Sequence, residues 1–318
     1  MHSQTIHRSR RAVMLALPAL AFSITACNST KSRPADSTTS ADAGPRRIAA
    51  LSSDAADTLV QLVGPERLVV VPESTTSKTW GNHPDLMAKV PHTISSVAHI
   101  DPEQVLSYKP DLVVLTARHA SEKETRDALG HGGVKVVVIE NNWATFDEIA
   151  GNVRTLGRAV GARQRANDIV ADFRARVAAV TDAVGKVTQR PSVLVMTSLG
   201  PQKPYILGSD SISSAIVQAA GANLAVDEAG IDNGMSADPE LVVRTDPDAI
   251  VLLNTGQGMN DYRPLLDNKA VAGLKAVEDG RVLLVNATDA SATAGVHVAK
   301  GLEQIARWLH PERFGKKS

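Results

Sequence analysis

The sequence DPEQVLSYKPDLVVL at Asp101–Leu115 returns without a gap as DPELVVRTDPDAIVL at Asp238–Leu252. Each copy opens with an aspartate, a proline and a glutamate, which is typical of a helix start with a cap and a first-turn acid. A second proline, Pro110 or Pro247, ends that helix, and the apolar run after it indicates a buried parallel strand. Repetition over this distance predicts two similarly built α/β halves with a cleft between them, not a short-period solenoid.

Strand-like and helix-like segments alternate on both sides of the centre of the chain. This order predicts an α/β fold of two Rossmann-like lobes, each with a parallel sheet covered by helices on both faces. The expected strands are Arg47–Leu51, Leu68–Val71, Leu112–Thr116, Val134–Ile139, Ser192–Thr197, Ala249–Leu253 and Val282–Val285. The expected helices are Ala55–Val63, Pro102–Tyr108, Ser121–Gly130, Ser211–Ala220, Pro239–Thr245, Ala270–Val277 and Val298–Leu309.

The segment between the halves, residues 146–188, shows no strand pattern. Its apolar residues from Ala166 to Val184 recur at steps of three and four, which predicts one long helix of roughly 25 residues from Arg163. A helix of that length spans the diameter of a small domain and can join two lobes. We therefore expect an N-terminal lobe at 47–145, a hinge helix region at 146–188 and a C-terminal lobe at 189–318.

The first 26 residues have the pattern of an export signal, because three arginines precede the short apolar run Ala12–Ala26. The run ends in Ile24-Thr25-Ala26-Cys27, which resembles a bacterial lipobox. That resemblance implies a lipidated, palmitate-bearing N-terminus at Cys27, the only cysteine. Residues 27–46 are rich in Ser, Thr, Ala and Pro and predict a flexible tether. The expected location is extracytoplasmic, with the protein anchored by lipid to the bacterial cell membrane. The arginine pair leaves Sec and twin-arginine export both open.

Composition argues against several functions. The formal net charge is zero, so no global field recruits nucleic acid, and aromatic residues, at 3%, are too few for base-stacking platforms. The sequence has no nucleophile elbow, no phosphate-cradling glycine loop after a strand and no cysteine pair. The lone match Gly256-Gln257-Gly258 does not change this, and we expect no enzymatic activity.

The lipobox, the two lobes and the connecting helix together resemble the helix-hinged (class III) substrate-binding lipoproteins of ABC importers for ferric siderophores, haem and cobalamin. The resemblance covers Arg47–Phe314. Besides the repeat, it is carried by Arg47-Ile48-Ala49-Ala50-Leu51-Ser52, Leu156-Gly157-Arg158-Ala159-Val160-Gly161 and Ala219-Ala220-Gly221-Ala222-Asn223. It implies a monomer without a cofactor that captures an iron chelate and delivers it to an ABC permease with a cytoplasmic ATPase. Cobalamin, a bare zinc or manganese ion and a chelatase-like enzyme are the alternatives.

In this family one glutamate of each lobe docks onto arginines of the permease, and Glu103 and Glu240 hold the matching places in the two repeats. Two exposed carboxylates at symmetric helix starts suit two cationic pockets. The alternative is that each glutamate only favours its helix dipole. Relatives often have a further glutamate where this chain has Thr58, which leaves a third contact open.

Ligands of such folds bind at the loops that follow the carboxyl ends of the strands. Haem would take an axial His, Tyr or Met and basic groups for its propionates. An anionic ferric siderophore would use the loop cations, among them Lys78 and Lys203, with tryptophans as walls. The candidate ligand-contacting residues are Trp80, His99, Arg118, Trp143, Tyr205, Met259, Tyr262 and Arg263.

Two further ligands have weaker support in the sequence. Relatives that hold a corrin have a tryptophan where this chain has Val97. A bare Zn²⁺ ion would be held by His83, His99 and His119. No histidine-rich loop or close histidine spacing favours that set.

Overall fold

The computed structural model describes residues 44–95, 100–118, 120–198 and 204–315. For residues 120 and 121 it describes the backbone alone. Five strands of the first half form a wholly parallel sheet in the order β3-β2-β1-β4-β5. They are β1 (Ile48–Ala50), β2 (Leu68–Pro72), β3 (His92–Ile94), β4 (Leu112–Thr116) and β5 (Lys135–Ile139). β1, β2 and β4 are buried along their whole length, as strands covered by helices on both faces must be.

The second half contains a mixed sheet rather than the purely parallel sheet that we expected. Its strands are β6 (Ser192–Thr197), β7 (Tyr205–Ile206), β8 (Asn223–Leu224), β9 (Met235–Ser236), β10 (Ala249–Asn254) and β11 (Val282–Asn286). β11, β10, β6 and β8 pair in parallel, whereas β6-β7 and β7-β9 are antiparallel pairs. The connection from β6 to β7 is too short for a parallel crossover, which needs a dozen or more residues, so the chain turns back instead. The two-lobed α/β architecture is otherwise confirmed.

Helices cover the faces of both sheets. They are α1 (Ser53–Val63), α2 (Pro84–Met87), α3 (Pro102–Ser107), α4 (Ala120–His131), α5 (Phe146–Ala159), α6 (Arg163–Val184), α7 (Ile212–Ala219), α8 (Ala225–Glu228), α9 (Pro239–Thr245), α10 (Arg263–Leu266), α11 (Lys269–Ala272), α12 (Lys275–Glu278), α13 (Ala287–Ala290) and α14 (Val298–Leu309). The single helix expected at Ala270–Val277 is two short helices, α11 and α12. In the described part of the chain, none of the helices combines the length and the apolar character that crossing a bilayer requires.

The hinge region contains two helices, where we expected one. α5 and the 22-residue α6 form an antiparallel pair, and α6 also packs against α14 of the second half. The buried face of α6 is Ala166, Val170, Phe173, Val180 and Val184. Arg165 of α6 also donates to the backbone oxygen of Gln61 in α1, at 3.2 Å. Because α6 contacts helices of both halves, it is the connecting helix predicted from the sequence. The exact lobe boundaries stay a prediction, since the described residues belong to one compact unit.

The two repeats share hydrogen bonds and backbone conformations that an alignment of their sequences does not reveal. Asp111 accepts hydrogen bonds from the backbone N–H groups of Arg46 (2.7 Å) and Arg47 (3.0 Å), and Asp248 accepts one from Ser192 N (2.8 Å). Each aspartate thus binds backbone N–H groups at the start of the first strand of its own lobe. The residue before each internal proline also has positive φ, at 50° for Lys109 and 35° for Asp246. The local geometry of the duplication therefore persists after its sequence has diverged.

The contact between α5 and α6 yields a prediction about two glycines of one helix. A Cβ atom at Gly157 would lie 2.3 Å from the Cβ atom of Ala166, whereas a Cβ atom at Gly151 would meet nothing within 4 Å. Overpacking costs about 1–3 kcal/mol, and alanine gains at most about 1 kcal/mol over glycine in a helix. We expect Gly157→Ala to lower the free energy of unfolding and Gly151→Ala to raise it, as measured by chemical denaturation.

The control for this prediction is the double variant Gly157→Ala with Ala166→Gly, which removes the clash and should recover part of the loss. Equal stabilisation by both glycine-to-alanine changes would show that the two helices are not in close contact.

Candidate functional site

A cavity of about 610 Å³ lies between the two halves, within the range of small-molecule sites. Residues that line it come from the ends of strands and from the loops that follow them. They are Trp80, Arg118, Asn142, Ala144, Thr197, Tyr205, Leu207, Asp210, Ser211, Ile212, Ser213, Leu253, Thr255, Ala287, Ser291, Ala292 and Thr293. The exposed surface of the cavity is mainly apolar, although hydroxyl, amide and charged groups lie among its aliphatic and aromatic side chains.

Strand order explains why the cavity is there. In the first sheet the order reverses between β1 and β4, and in the second between β6 and β10. Loops that leave neighbouring strands at such a point diverge and open a crevice at the carboxyl ends. Arg118 follows β4, Thr197 ends β6 and Thr255 follows β10, so the lining gathers at both switch points.

Arg118 is held in place by a buried acid. Its Nη2 atom donates to Oδ2 of Asp54 at 2.5 Å, and the Asp54 side chain is fully buried. The other carboxylate oxygen of Asp54 accepts from Ser52 Oγ (2.9 Å) and Thr116 Oγ1 (2.6 Å). This network joins the ends of β1 and β4 and fixes a guanidinium group at the edge of the cavity. Arg118 was predicted as a ligand-contacting cation, and its partner Asp54 was not.

Trp143 lies in the core and does not line the cavity, in contrast to the wall predicted for it. Its ring is fully buried, and Nε1 donates to Thr116 Oγ1 at 3.2 Å. The backbone has φ of 57°, held by a bond from its N–H group to Asn141 Oδ1 (3.1 Å). Its neighbours Asn142 and Ala144 do line the cavity. Trp143 therefore anchors the loop that presents them.

Tyr205 and Tyr262 also differ in whether the ring lines the cavity or lies in the core. Tyr205 is 39% exposed and lines the cavity, while its hydroxyl donates to Gly234 O at 2.6 Å. Tyr262 is fully buried and donates to Leu253 O at 2.6 Å. Burial raises the pKa of Tyr262 far above its usual range, so it stays a neutral donor. Tyr262 therefore does not reach the cavity, in contrast to the prediction, because an iron ligand would have to be a phenolate that faces the cavity.

The remaining predicted contacts do not come together with these residues. Met259 packs, partly buried, against the core, and Arg263 is exposed at the start of α10. Neither side chain lines the cavity, and the same holds for the exposed Lys78. His99, His119, Lys203 and the lipidation site Cys27 lie outside the described residues. Trp80, Arg118 and Tyr205 are thus the predicted residues that meet at one cavity.

A polar contact between the lobes was missed by the sequence analysis. Nε2 of His83 lies 3.3 Å from Nε2 of His297, and Asn82 Nδ2 lies 3.5 Å from Ala294 O. Burial lowers the pKa of His83 and lowers that of His297 to about 4, so both imidazoles are neutral near pH 7. Nearby, burial raises the pKa of Asp57 to about 7, although Asn82 donates to its carboxylate. No local pattern links residues so far apart in sequence.

A second cavity, of about 660 Å³, lies at the other end of the second sheet. Residues just before β6, β10 and β11 line it, including Pro191, Asp248 and Arg281. It is therefore at the amino ends of the strands, and its described lining residues come from the C-terminal lobe and the end of the hinge region. Ligands of open α/β sheets bind at the carboxyl ends, so we assign the site to the 610 Å³ cavity.

Glu103 and Glu240 are both exposed in the first turns of α3 and α9. Neither carboxylate has a hydrogen bond or ion pair with any of the described residues. Asp101 caps α3 by accepting from Glu103 N at 2.9 Å, whereas α9 starts without a side-chain cap bond. Helices that precede a parallel strand begin at the carboxyl edge of the sheet, so both glutamates are on the cleft side. Thr58 is buried, and its hydroxyl donates to Asp54 O at 2.9 Å, so it offers no outward contact.

Comparisons with known proteins agree with this architecture. The chain is 25% identical over 221 residues to an uncharacterised ABC transporter substrate-binding lipoprotein, YvrC of Bacillus subtilis (strain 168), covering 68% of this chain and 67% of the relative. It is 26% identical over 252 residues to a cobalamin-binding protein of Halobacterium salinarum, covering 77% of this chain and 64% of that protein's length. Among solved structures, the periplasmic haem-binding protein RhuT of Roseiflexus sp. RS-1 superposes with a TM-score of 0.71 at 23% identity, covering 85% of this chain and 100% of that one.

These relatives are solute-binding proteins and not enzymes, which agrees with the absence of catalytic motifs from the sequence. The family model for periplasmic binding proteins matches residues 48–287. The chain therefore belongs to the periplasmic binding protein family, as a substrate-binding protein of an ABC transporter.

Proposed function

We propose that this protein captures a large metal chelate of low net charge, with haem as the first candidate, and delivers it to its ABC permease. The observation that carries the proposal is the 610 Å³ cavity, which has an exposed aromatic ring from each lobe, Trp80 and Tyr205. Flat apolar faces of this kind suit the faces of a conjugated macrocycle.

The charges of the lining support a ligand with few anionic groups. Among the described residues that line the cavity, Arg118 is the only cation, and its charge is balanced by the buried Asp54. Asp210 adds a negative charge to the same lining. A ferric siderophore with several negative charges would meet no surplus of positive charge there. Haem needs at most two basic partners for its propionates, and the Arg118 guanidinium can serve one of them.

Cobalamin is the second candidate, because the halobacterial relative is named a cobalamin-binding protein. Its corrin is also a large, largely uncharged macrocycle. The iron of haem, in contrast, would need an axial ligand from a protein side chain. His99 remains the proposed axial ligand.

The ligand proposal is tested by titrating the purified protein with haem, cyanocobalamin, a neutral ferric hydroxamate and an anionic ferric tricatecholate. We expect haem or cyanocobalamin to bind most tightly, with Trp80→Ala weakening that binding at least tenfold. Losing a largely buried aromatic contact costs about 1.5–3 kcal/mol, and 1.4 kcal/mol is a factor of ten. Trp80→Phe should retain most of the affinity.

The matched control is Trp308→Phe, because Trp308 lies on α14 away from the cavity. Tightest binding of the tricatecholate would contradict the low-charge ligand. Unchanged affinity in Trp80→Ala would show that the ligand does not bind in this cavity. A Soret band that shifts in His99→Ala would identify the axial ligand.

Substrate-binding proteins of ABC importers work with permease and ATPase components, and we propose that Glu103 and Glu240 are the contacts to the permease. They are exposed, equivalent in the two repeats and on the cleft side of their lobes. A carboxylate that becomes buried against an arginine gains a charge-assisted hydrogen bond that an exposed glutamate does not have.

We expect Glu103→Gln with Glu240→Gln to reduce uptake and permease association sharply, with ligand affinity unchanged. Each change should cost folding only about 0.3–1 kcal/mol through the lost helix-dipole interaction. The control is Glu66→Gln with Glu278→Gln, two exposed glutamates located before β2 and β11 at the amino ends of the sheets. Wild-type transport by the first double variant, or an equal defect in the control, would show that the pair does not dock.

We also propose that lipid on Cys27 tethers the protein to the outer face of the cell membrane, as the lipoprotein name of the Bacillus relative suggests. Cys27→Ala should release the protein from the membrane fraction of cells, measured by immunoblot after fractionation. The same variant should bind the chelate as the wild type does, because the cavity is lined by residues from Trp80 onward. Retention of the Cys27→Ala variant in the membrane fraction would contradict the proposed lipid anchor.

A further inference from the structure

We propose that His83 and His297 together hold one divalent transition-metal ion, with zinc as the reference case, between the two lobes. This site lies outside the lining of the chelate cavity. It shares His83 with the histidine set suggested by the sequence, but it has His297 in place of His99 and His119.

The distance between the two imidazoles carries the proposal. Two histidine nitrogens that bind one tetrahedral zinc ion at about 2.0–2.1 Å are about 3.3 Å apart. The Nε2 atoms of His83 and His297 are 3.3 Å apart. Their ring centroids are 5.1 Å apart and the ring planes are inclined at 63°. Without a metal, one Nε2 atom can donate a hydrogen bond to the other at this distance, and a metal ion would replace that shared proton.

The charges around this contact differ between the two lobes. Asp57 is almost fully buried, and its Oδ2 atom accepts hydrogen bonds from Asn82, the residue before His83. Its other carboxylate oxygen, Oδ1, has no hydrogen-bond partner in the described part of the chain. On the second lobe, the buried Asp289 lies near His297 and binds Lys300 at 2.7 Å, with Arg176 also in the neighbourhood. The second-lobe side thus has no surplus of negative charge, and electrostatic support for a bound cation comes from Asp57, which lies next to His83 on the first lobe.

Both histidines are half-buried, so an ion can reach them from solvent. The described part of the chain holds no cluster of three or more His, Cys, Asp or Glu side chains arranged for a metal. The protein thus supplies two ligands, and water fills the other positions. Imidazole favours zinc, copper and nickel over magnesium or calcium, which prefer oxygen.

A metal ion bound by His83 and His297 would connect two segments that line the chelate cavity. His83 follows Trp80 by three residues and His297 follows Thr293 by four, and both Trp80 and Thr293 line the chelate cavity. A metal bound by the pair would cross-link these two segments from opposite lobes. A ligand that binds only the folded state raises the free energy of unfolding, so zinc should raise the melting temperature.

The test uses the full chain, freed of metal by a chelator, and titrates it with zinc chloride in the calorimeter with no iron chelate present. We expect one equivalent of zinc to bind and to raise the melting temperature. His83→Asn and His297→Asn should each weaken binding at least tenfold and abolish the thermal shift, since even outer-shell changes cost 10–100-fold. His131→Asn, at an exposed histidine of α4, is the matched control and should bind as the wild type does.

Equal zinc binding by all four proteins, or none by the wild type at millimolar zinc, would overturn the proposal. Loss of binding in His99→Asn and His119→Asn but not in His297→Asn would also overturn it, in favour of the set suggested by the sequence. Should either variant fail to fold, zinc-edge X-ray absorption of the wild type decides: two imidazole ligands support the site, and oxygen ligands alone refute it. Because no chelate is used, this result is independent of the proposed transport ligand.

Discussion

The buried carboxylate of Asp54 is the interaction on which the first half of the site depends. It lies at the point where the strand order reverses, and it binds Ser52 after β1, Thr116 of β4 and the guanidinium group of Arg118. A buried charge left without partners is strongly destabilising, so none of these groups is independent of the others. Thr116 also accepts from the Trp143 ring, so the loop that carries Asn142 is tied to the same centre. One acid thereby sets the positions of the cation and of a neighbouring wall of the cavity.

Much of the fold could be predicted from the sequence because its signals are local and repeated. The apolar runs of β4 and β6 and the helices α9 and α14 have the predicted bounds. The second sheet was predicted less well. β7, β8 and β9 are two residues long, which is too short for any alternation to show, and their direction depends on loop length rather than on composition.

The candidate site was predicted in part, for a physical reason that the tryptophans illustrate. Trp80 and Trp143 both follow strands in loops, and nothing in their neighbours tells which ring faces the cavity. The positive φ of Trp143 turns its ring into the core. Similarly, Tyr205 and Tyr262 have opposite environments set by tertiary packing. The contact between His83 and His297 joins residues 214 positions apart and could be found only in three dimensions.

The stiffness of the connecting helix α6 affects how import depends on the supply of ligand. It runs for 22 residues without a glycine, and its hydrogen bonds are internal, so it has no residue suited to absorb a large change of φ and ψ. We therefore expect the lobes, and with them Glu103 and Glu240, to keep nearly the same separation whether the cleft is full or empty. With docking as proposed, an empty receptor occupies the permease about as well as a loaded one. Receptor made in excess of its ligand would act as a competitive inhibitor of its own import system, and the cell would gain uptake by matching receptor number to supply.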